Sequence, residues 1–135
     1  MEEYIMTIDE GTTSARAVLF NKDSEIIAIC AKEFAQYYPQ PGWVEQDPKE
    51  IWLTTKEVIN RVVLQAGIDP RQIKAAGITN QRETVVVYDK NTGEPVYNAI
   101  GWADRRTAPY CDELKAAGKE QMFIDKTGLL IDGYF

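Results

Sequence analysis

The sequence predicts an α/β fold, in which an antiparallel β-meander is followed by a helix and then by a strand that returns in parallel. Three observations predict it. Short apolar runs separated by turn residues fill the first 31 positions. A helix with both ends marked spans Asp47 to Gly67. A small apolar run, Ile73–Thr79, comes after that helix, and a strand reached through a helix must pair in parallel with an earlier one.

The first strand is Tyr4-Ile5-Met6-Thr7-Ile8, and Arg16-Ala17-Val18-Leu19-Phe20 is its hairpin partner. After a turn at Asn21-Lys22-Asp23-Ser24, the run Glu25–Ala31 reads as the third strand; strands joined by such short turns are antiparallel. From Tyr37 to Trp43, Pro and Gly interrupt any apolar period, so this is a loop. Asp47-Pro48-Lys49-Glu50 then supplies an N-cap carboxylate, a proline in the first helical turn and a capping-box Glu. Ile51, Trp52, Val58, Ile59, Val62, Val63 and Ala66 recur at helical spacing, and Gly67 ends the helix before Pro70. The small apolar residues of Ile73–Thr79 predict a buried strand. A second hairpin is expected at Thr84–Asp89 and Pro95–Tyr97 around Asn91-Thr92-Gly93. A second helix is expected from about Thr107 to Ala117, then a short helical pattern that ends in a turn at Thr127-Gly128.

Composition narrows the function. The chain has 135 residues, 44% hydrophobic and 27% charged, which fits one soluble domain or part of one. A net charge of −6 argues against a nucleic-acid partner or an anionic membrane surface. Two cysteines, Cys30 and Cys111, are too few for a disulfide framework, and without histidine a zinc site is not expected. With no secretory pattern and no membrane anchor, a cytoplasmic protein is expected.

Two constellations carry chemistry. In Asp9-Glu10-Gly11-Thr12-Thr13-Ser14-Ala15-Arg16, Gly11 allows close backbone approach and positive φ, and three adjacent residues offer N–H and O–H donors to phosphate oxygens. Asp9 suits a hydrated Mg²⁺, which takes few carboxylates and keeps waters and phosphates. The segment is either a nucleotide-phosphate hairpin or an ordinary turn. In Gly77-Ile78-Thr79-Asn80-Gln81-Arg82-Glu83-Thr84, a guanidinium and a carboxylate follow a strand at its C-terminal end, where ligands of α/β sheets sit. Together they suit a polyol, Glu accepting from hydroxyls and Arg donating to them, or they are a solvated pair. Trp102 and Tyr134-Phe135 could cover the C–H face of such a polyol, or Trp102 could fill core. Asp104-Arg105-Arg106 favours a structural, ion-paired junction.

Three strands, a helix and a further strand open a ribonuclease-H-like α/β unit, the core of actin- and hexokinase-like ATPases. That unit needs more elements than these, so the N-terminal portion of a longer protein is expected.

The motifs taken together are more particular than any one of them. The Asp9–Arg16 and Gly77–Thr84 segments, Pro41-Gly42-Trp43-Val44-Glu45, Tyr97-Asn98-Ala99-Ile100 with Trp102, and Asp104-Arg105-Arg106-Thr107 resemble the FGGY carbohydrate kinase family, over the whole chain and in order. The Asn80–Thr84 run, with Thr127-Gly128-Leu129, Asp132 and Tyr134-Phe135, favours its glycerol kinases over its pentulose kinases.

The resemblance implies residues 1–135 are the N-terminal part of the first kinase domain, without the second domain or the segment bearing the catalytic base, an Asp. It implies ATP-dependent phosphorylation of glycerol to sn-glycerol 3-phosphate, with homo-oligomers at full length. Arg82, Glu83 and Tyr134 would bind glycerol hydroxyls and Trp102 would pack on the carbon chain. Thr12, Thr13, Ser14 and Arg16 would contact ATP phosphates and Asp9 the Mg²⁺. Glu10, Ala15, Gly101, Ala103 and Gly133 depart from the commoner family residues. The alternatives are another polyol or sugar kinase of the family, and a non-catalytic truncated binding module.

Overall fold

In the computed structural model, which describes residues 2–135, alternation of apolar and polar residues produces one mixed sheet. Its strands are β1 (Tyr4–Glu10), β2 (Ser14–Asn21), β3 (Ile26–Glu33) and β5 (Ile73–Thr79), in the order β3-β2-β1-β5. β1 pairs antiparallel with β2 and parallel with β5, so the meander and the parallel return are both present. β1 and β2 are longer than the apolar runs suggest. Pairing continues through Asp9↔Arg16 and Glu10↔Ala15, which tightens the turn and places Ser14 inside β2.

The chain divides into two compact units, Met1–Ala35 with Asp47–Gln81, and Gln36–Gln46 with Arg82–Phe135. The first unit holds this sheet and α1 (Pro48–Ala66). Side chains alternate across a strand. Tyr4, Met6 and Ile8 therefore share one face with Ala15, Ala17 and Leu19 of β2 and Ala28 and Cys30 of β3, and Val58 and Val62 of α1 close over them. Asp47 accepts from the Lys49 N–H at the start of α1, and Gly67 ends it with φ 64°. Leu19 is fully buried, a burial worth about 1.5–3 kcal/mol.

Two expectations need correction here. Trp52 lies outside the packed face, 60% exposed beneath the Lys56 ammonium, 5.1 Å from its ring centroid. Thr54 and Thr55 are buried on the helix instead. β5 is not buried: Ile78 is 72% exposed. The strand is the last in the sheet order, and among the described residues it is paired on its β1 side only.

In the second unit, β4 (Glu45–Gln46) pairs antiparallel with β6 (Ala99–Ile100), and bridges from Tyr37 to Glu45 and from Val85 to Ile100 widen this ladder. The expected second hairpin forms only in part. Its turn is present, with Gly93 at φ 74° and the Asp89 carboxylate accepting from the Asn91 and Thr92 N–H groups. Around it Tyr88 bridges Pro95, with the Asp89 N–H donating to the Glu94 carbonyl at 2.9 Å and the Val96 N–H to the Val87 carbonyl at 3.0 Å, but the pairing goes no further, since Val85 pairs with Ile100. α2 (Ala108–Ala116) and α3 (Glu120–Thr127) follow, with Gly118 at φ 69° and Gly128 at φ 75° beyond their ends.

Leu19→Ala is expected to cost about 2–5 kcal/mol, and Trp52→Ala to stay within about 0.5 kcal/mol. Urea unfolding followed by circular dichroism measures both. Comparable losses at the two positions would contradict the assignment of the packed face.

Candidate functional site

The register of the first unit decides what the Asp9 hairpin can present. Asp9 stands directly opposite Arg16 of β2 and beside Thr79 of β5, on the face away from the apolar set. A carboxylate and a guanidinium thus sit side by side on adjacent strands, yet among the described residues neither has an ion-pair partner. Thr13 and Arg16 are exposed and Thr12 and Ser14 half-buried, at and just after the turn.

Backbone and amide bonds hold that turn. Gly11 N–H donates to the Ser14 carbonyl at 3.0 Å, and Phe34 N–H to the Thr13 carbonyl at 3.1 Å. The Gln81 side-chain amide, 70 residues away in sequence, donates to the Gly11 carbonyl at 2.9 Å. Gly11 serves by close approach and not by positive φ, since a Cβ there would meet the Ser14 carbonyl oxygen at 3.1 Å. On the helix side, Glu10 Oε1 accepts from the Thr55 hydroxyl at 2.6 Å, and Glu10 Oε2 is buried without a hydrogen-bond partner. No group of three or more acidic, Cys or His side chains able to hold a metal occurs among the described residues. A single carboxylate beside exposed hydroxyls fits a hydrated divalent cation carried with phosphates, and does not fit a metal caged by protein ligands.

The second unit holds the other candidates. Arg82 is exposed and Glu83 half-buried, and among the described residues neither has an ion-pair partner. The next residue, Thr84, accepts from the Trp102 backbone N–H at 3.2 Å. The Trp102 ring meets Tyr134 edge-on, with centroids 5.6 Å apart and planes at 76°, and Tyr134 meets Phe135 likewise at 5.0 Å. Trp102 is therefore an exposed aromatic surface and not core filling. Trp102, Tyr134 and the Thr84 segment are thereby gathered within one unit.

The same unit carries a charge network that the sequence shows only as the Asp104–Arg106 junction. Glu45 is 1% and Asp104 3% exposed. The Arg106 guanidinium donates to Asp104 Oδ1 and Oδ2 at 2.9 and 2.8 Å and to Glu45 Oε1 at 2.8 Å. Tyr97 and Asn98 also donate to Glu45, at 2.8 and 2.9 Å. Val44 and Arg106 N–H groups donate to Asp104 at 2.7 and 2.8 Å. The guanidinium lies 3.8 Å from the Trp43 ring centroid. Burial alone would raise the Glu45 carboxyl, but donation from Arg106, Asn98 and Tyr97 holds it below its ordinary value. The same contest at Asp104, won by Arg106 and the Val44 N–H, also leaves it low, and Asp104 with Glu45 raises Arg106.

Glu45, Tyr97 and Asn98 had no assigned role in the sequence. The available signal was a Glu directly after apolar Trp43 and Val44, where a buried carboxylate calls for a cation partner. Gln81 was equally missed as a brace for the Asp9 turn, because nothing local in sequence links positions 70 residues apart.

The chain belongs to the FGGY family of carbohydrate kinases: its residues 4–135 match the family's N-terminal domain. Its fold is accordingly part of an actin- and hexokinase-like ATPase domain. The particular relatives are glycerol kinases. That of Chromobacterium violaceum is 58% identical over 134 residues, covering 99% of this chain, and that of Geobacillus kaustophilus is 57% identical over all 135. The chain spans 27% of the length of each. Among solved structures, Plasmodium falciparum glycerol kinase with ADP superposes with a TM-score of 0.89 at 31% identity, covering 99% of this chain and 27% of that one. A gluconate kinase from Lactobacillus acidophilus gives 0.90 at 26% identity, covering 99% and 26%.

Removing one partner of a buried ion pair strands the others. Arg106→Leu is expected to lower stability by about 3–5 kcal/mol at neutral pH. Glu45 and Asp104 have lowered folded values, so their stabilisation is complete above the unfolded carboxylate range and is lost as pH falls through those lower values. The deficit of Arg106→Leu should therefore shrink in acid, as the stranded carboxylates protonate. Urea midpoints across pH test this, and a pH-independent deficit would refute it.

Proposed function

We propose that this chain is the N-terminal part of an ATP-dependent glycerol kinase, transferring the γ-phosphoryl group to glycerol to give sn-glycerol 3-phosphate. The observation that carries this reading is identity of more than half, end to end, with curated glycerol kinases. Arg82 and Glu83, without an ion-pair partner among the described residues, and the Trp102–Tyr134 pair are the chemistry a short polyol needs.

Phosphoryl transfer asks a protein chiefly to position its reactants and neutralise charge. In this reading Thr12, Thr13 and Ser14 donate N–H and O–H groups to ATP phosphate oxygens, and Arg16 adds a fixed cation. Asp9 holds a hydrated Mg²⁺, which when bound neutralises phosphate charge. The Gln81 brace keeps the turn from yielding when phosphates dock. Arg82 donates to one glycerol hydroxyl oxygen while Glu83 accepts from hydroxyl protons and Tyr134 adds a further polar contact. Trp102 covers the carbon chain and keeps water from that side. In this reading the base that takes the attacking hydroxyl's proton, the adenine site and the second domain belong to the part of the relatives that this chain, at 27% of their length, does not cover. The segment alone is then expected to give no turnover. The complete enzyme is taken to be cytoplasmic and homo-oligomeric; no helix among the described residues is long and apolar enough to cross a membrane.

The test is glycerol-dependent ADP release by the full-length protein, compared with gluconate, xylulose and erythritol as acceptors. A clear preference for any acceptor other than glycerol would overturn the assignment. A charge-assisted hydrogen bond contributes about 1.5–3 kcal/mol. Arg82→Ala should thus raise the glycerol KM by about 10- to 150-fold, with the ATP KM nearly unchanged. Equal loss for both substrates would mean that Arg82 supports the fold.

A further inference from the structure

The Trp102–Tyr134 pair is held by a strap that the polyol reading does not use. Arg105, three residues after Trp102, donates from both terminal nitrogens to Asp132 at 2.7 and 3.3 Å. Asp132 Oδ1 in turn accepts the Tyr134 backbone N–H at 2.9 Å, so one carboxylate closes the turn that carries Tyr134. Its carbonyl accepts the Phe135 N–H at 3.2 Å. The near side of the strap is anchored as well. Arg105 N–H donates to the Gly42 carbonyl at 2.8 Å, and Asp104 N–H to the Gly101 carbonyl at 2.9 Å, in the turn that contains Trp102. Gly133 abuts the N-terminal end of α2, where a Cβ would meet Thr107 Oγ1 at 2.6 Å.

The aromatic edge-to-face contact alone is weak, about 0.5–1.5 kcal/mol, and rings on two irregular segments would drift without a second tie. The Arg105–Asp132 fork is bidentate, which fixes direction as well as distance. Arg105 is held above its ordinary value by Asp132, and Asp132 below its own by Arg105 and the Tyr134 N–H, so the pair stays charged across the working range of pH.

We propose that Arg105 and Asp132 are positioning residues that set the separation of Trp102 and Tyr134, and with it the width of the alcohol site and its preference for a three-carbon polyol. This rests on the polyol-kinase reading above. Neither residue touches the substrate; each acts through the aromatic ring its segment carries.

The experiment is steady-state kinetics on the full-length kinase carrying Asp132→Asn, Arg105→Ala, Arg105→Lys, or Asp132→Asn with Arg105→Ala, each with glycerol, erythritol and ATP varied. Arg105→Ala should raise the glycerol KM about tenfold, leave the ATP KM within about twofold, and shift relative kcat/KM toward erythritol. Arg105→Lys should recover part of the loss. The double variant should be no worse than either single one, because the two act as a unit. Asp132→Asn is isosteric and keeps the result readable if Arg105→Ala folds poorly. Equal changes in both KM values, or lowered thermal stability with an unchanged glycerol KM and acceptor preference, would overturn the inference and leave a stabilising ion pair. A wild-type enzyme that prefers another polyol removes the glycerol assignment, while the same KM split measured on that polyol still decides the strap. A wild type inactive on every polyol overturns both.

Discussion

The two-residue period of β1 is the constraint on which the first unit depends. Tyr4, Met6 and Ile8 must face the helix, so Asp9 must face the other way. A slip of one residue would put a carboxylate into the apolar layer and Ile8 into water. The same register sets Arg16 and Thr79 beside Asp9, so the pairing that builds the core also assembles the polar face. Glu10 shows what the other face costs: one carboxylate oxygen takes the Thr55 hydroxyl and the other is buried with no partner.

The second unit solves a different problem, since its ladder is short and its core small. Regular pairing is confined to β4 and β6 with isolated bridges. Order there comes from charge that is buried and fully hydrogen-bonded. Arg106 joins Glu45 to Asp104, and Asp104 pins the Val44 backbone. Such an arrangement contributes geometry more than net stability, because desolvation offsets much of the attraction. Geometry is what a loop-built binding surface lacks.

Elements with strong local signals were legible in the sequence. The Asp47-Pro48 start and the Gly67 end of α1 coincide with the caps observed, because capping is decided within a few residues. The parallel return of β5 followed from connectivity alone. What could not be read was tertiary. Trp52 fits the helical period but not the packed face, because period alone does not separate adjacent stripes of a helix. Ile73–Thr79 reads as buried from its small apolar residues, and its place at the end of the sheet order depends on what pairs beside it. Of the site, residue types and order along the chain were legible. The Gln81 brace and the Glu45 partner to Arg106 were not, since each joins positions tens of residues apart.

The two candidate sites are therefore stabilised by different chemistry. The Asp9 turn is fixed by neutral donors and acceptors, the Gly11, Ser14, Thr13 and Phe34 backbone groups and the Gln81 amide, none of which titrates. The aromatic pair is fixed by ionised groups, directly through Arg105 and Asp132 and more remotely through Arg106, Glu45 and Asp104. The exposed Arg105–Asp132 fork is also open to salt screening, whereas the buried Arg106 pairs are shielded from it. High salt thus acts first on the strap beside the aromatic pair, while the backbone and amide bonds of the Asp9 turn carry no net charge to screen.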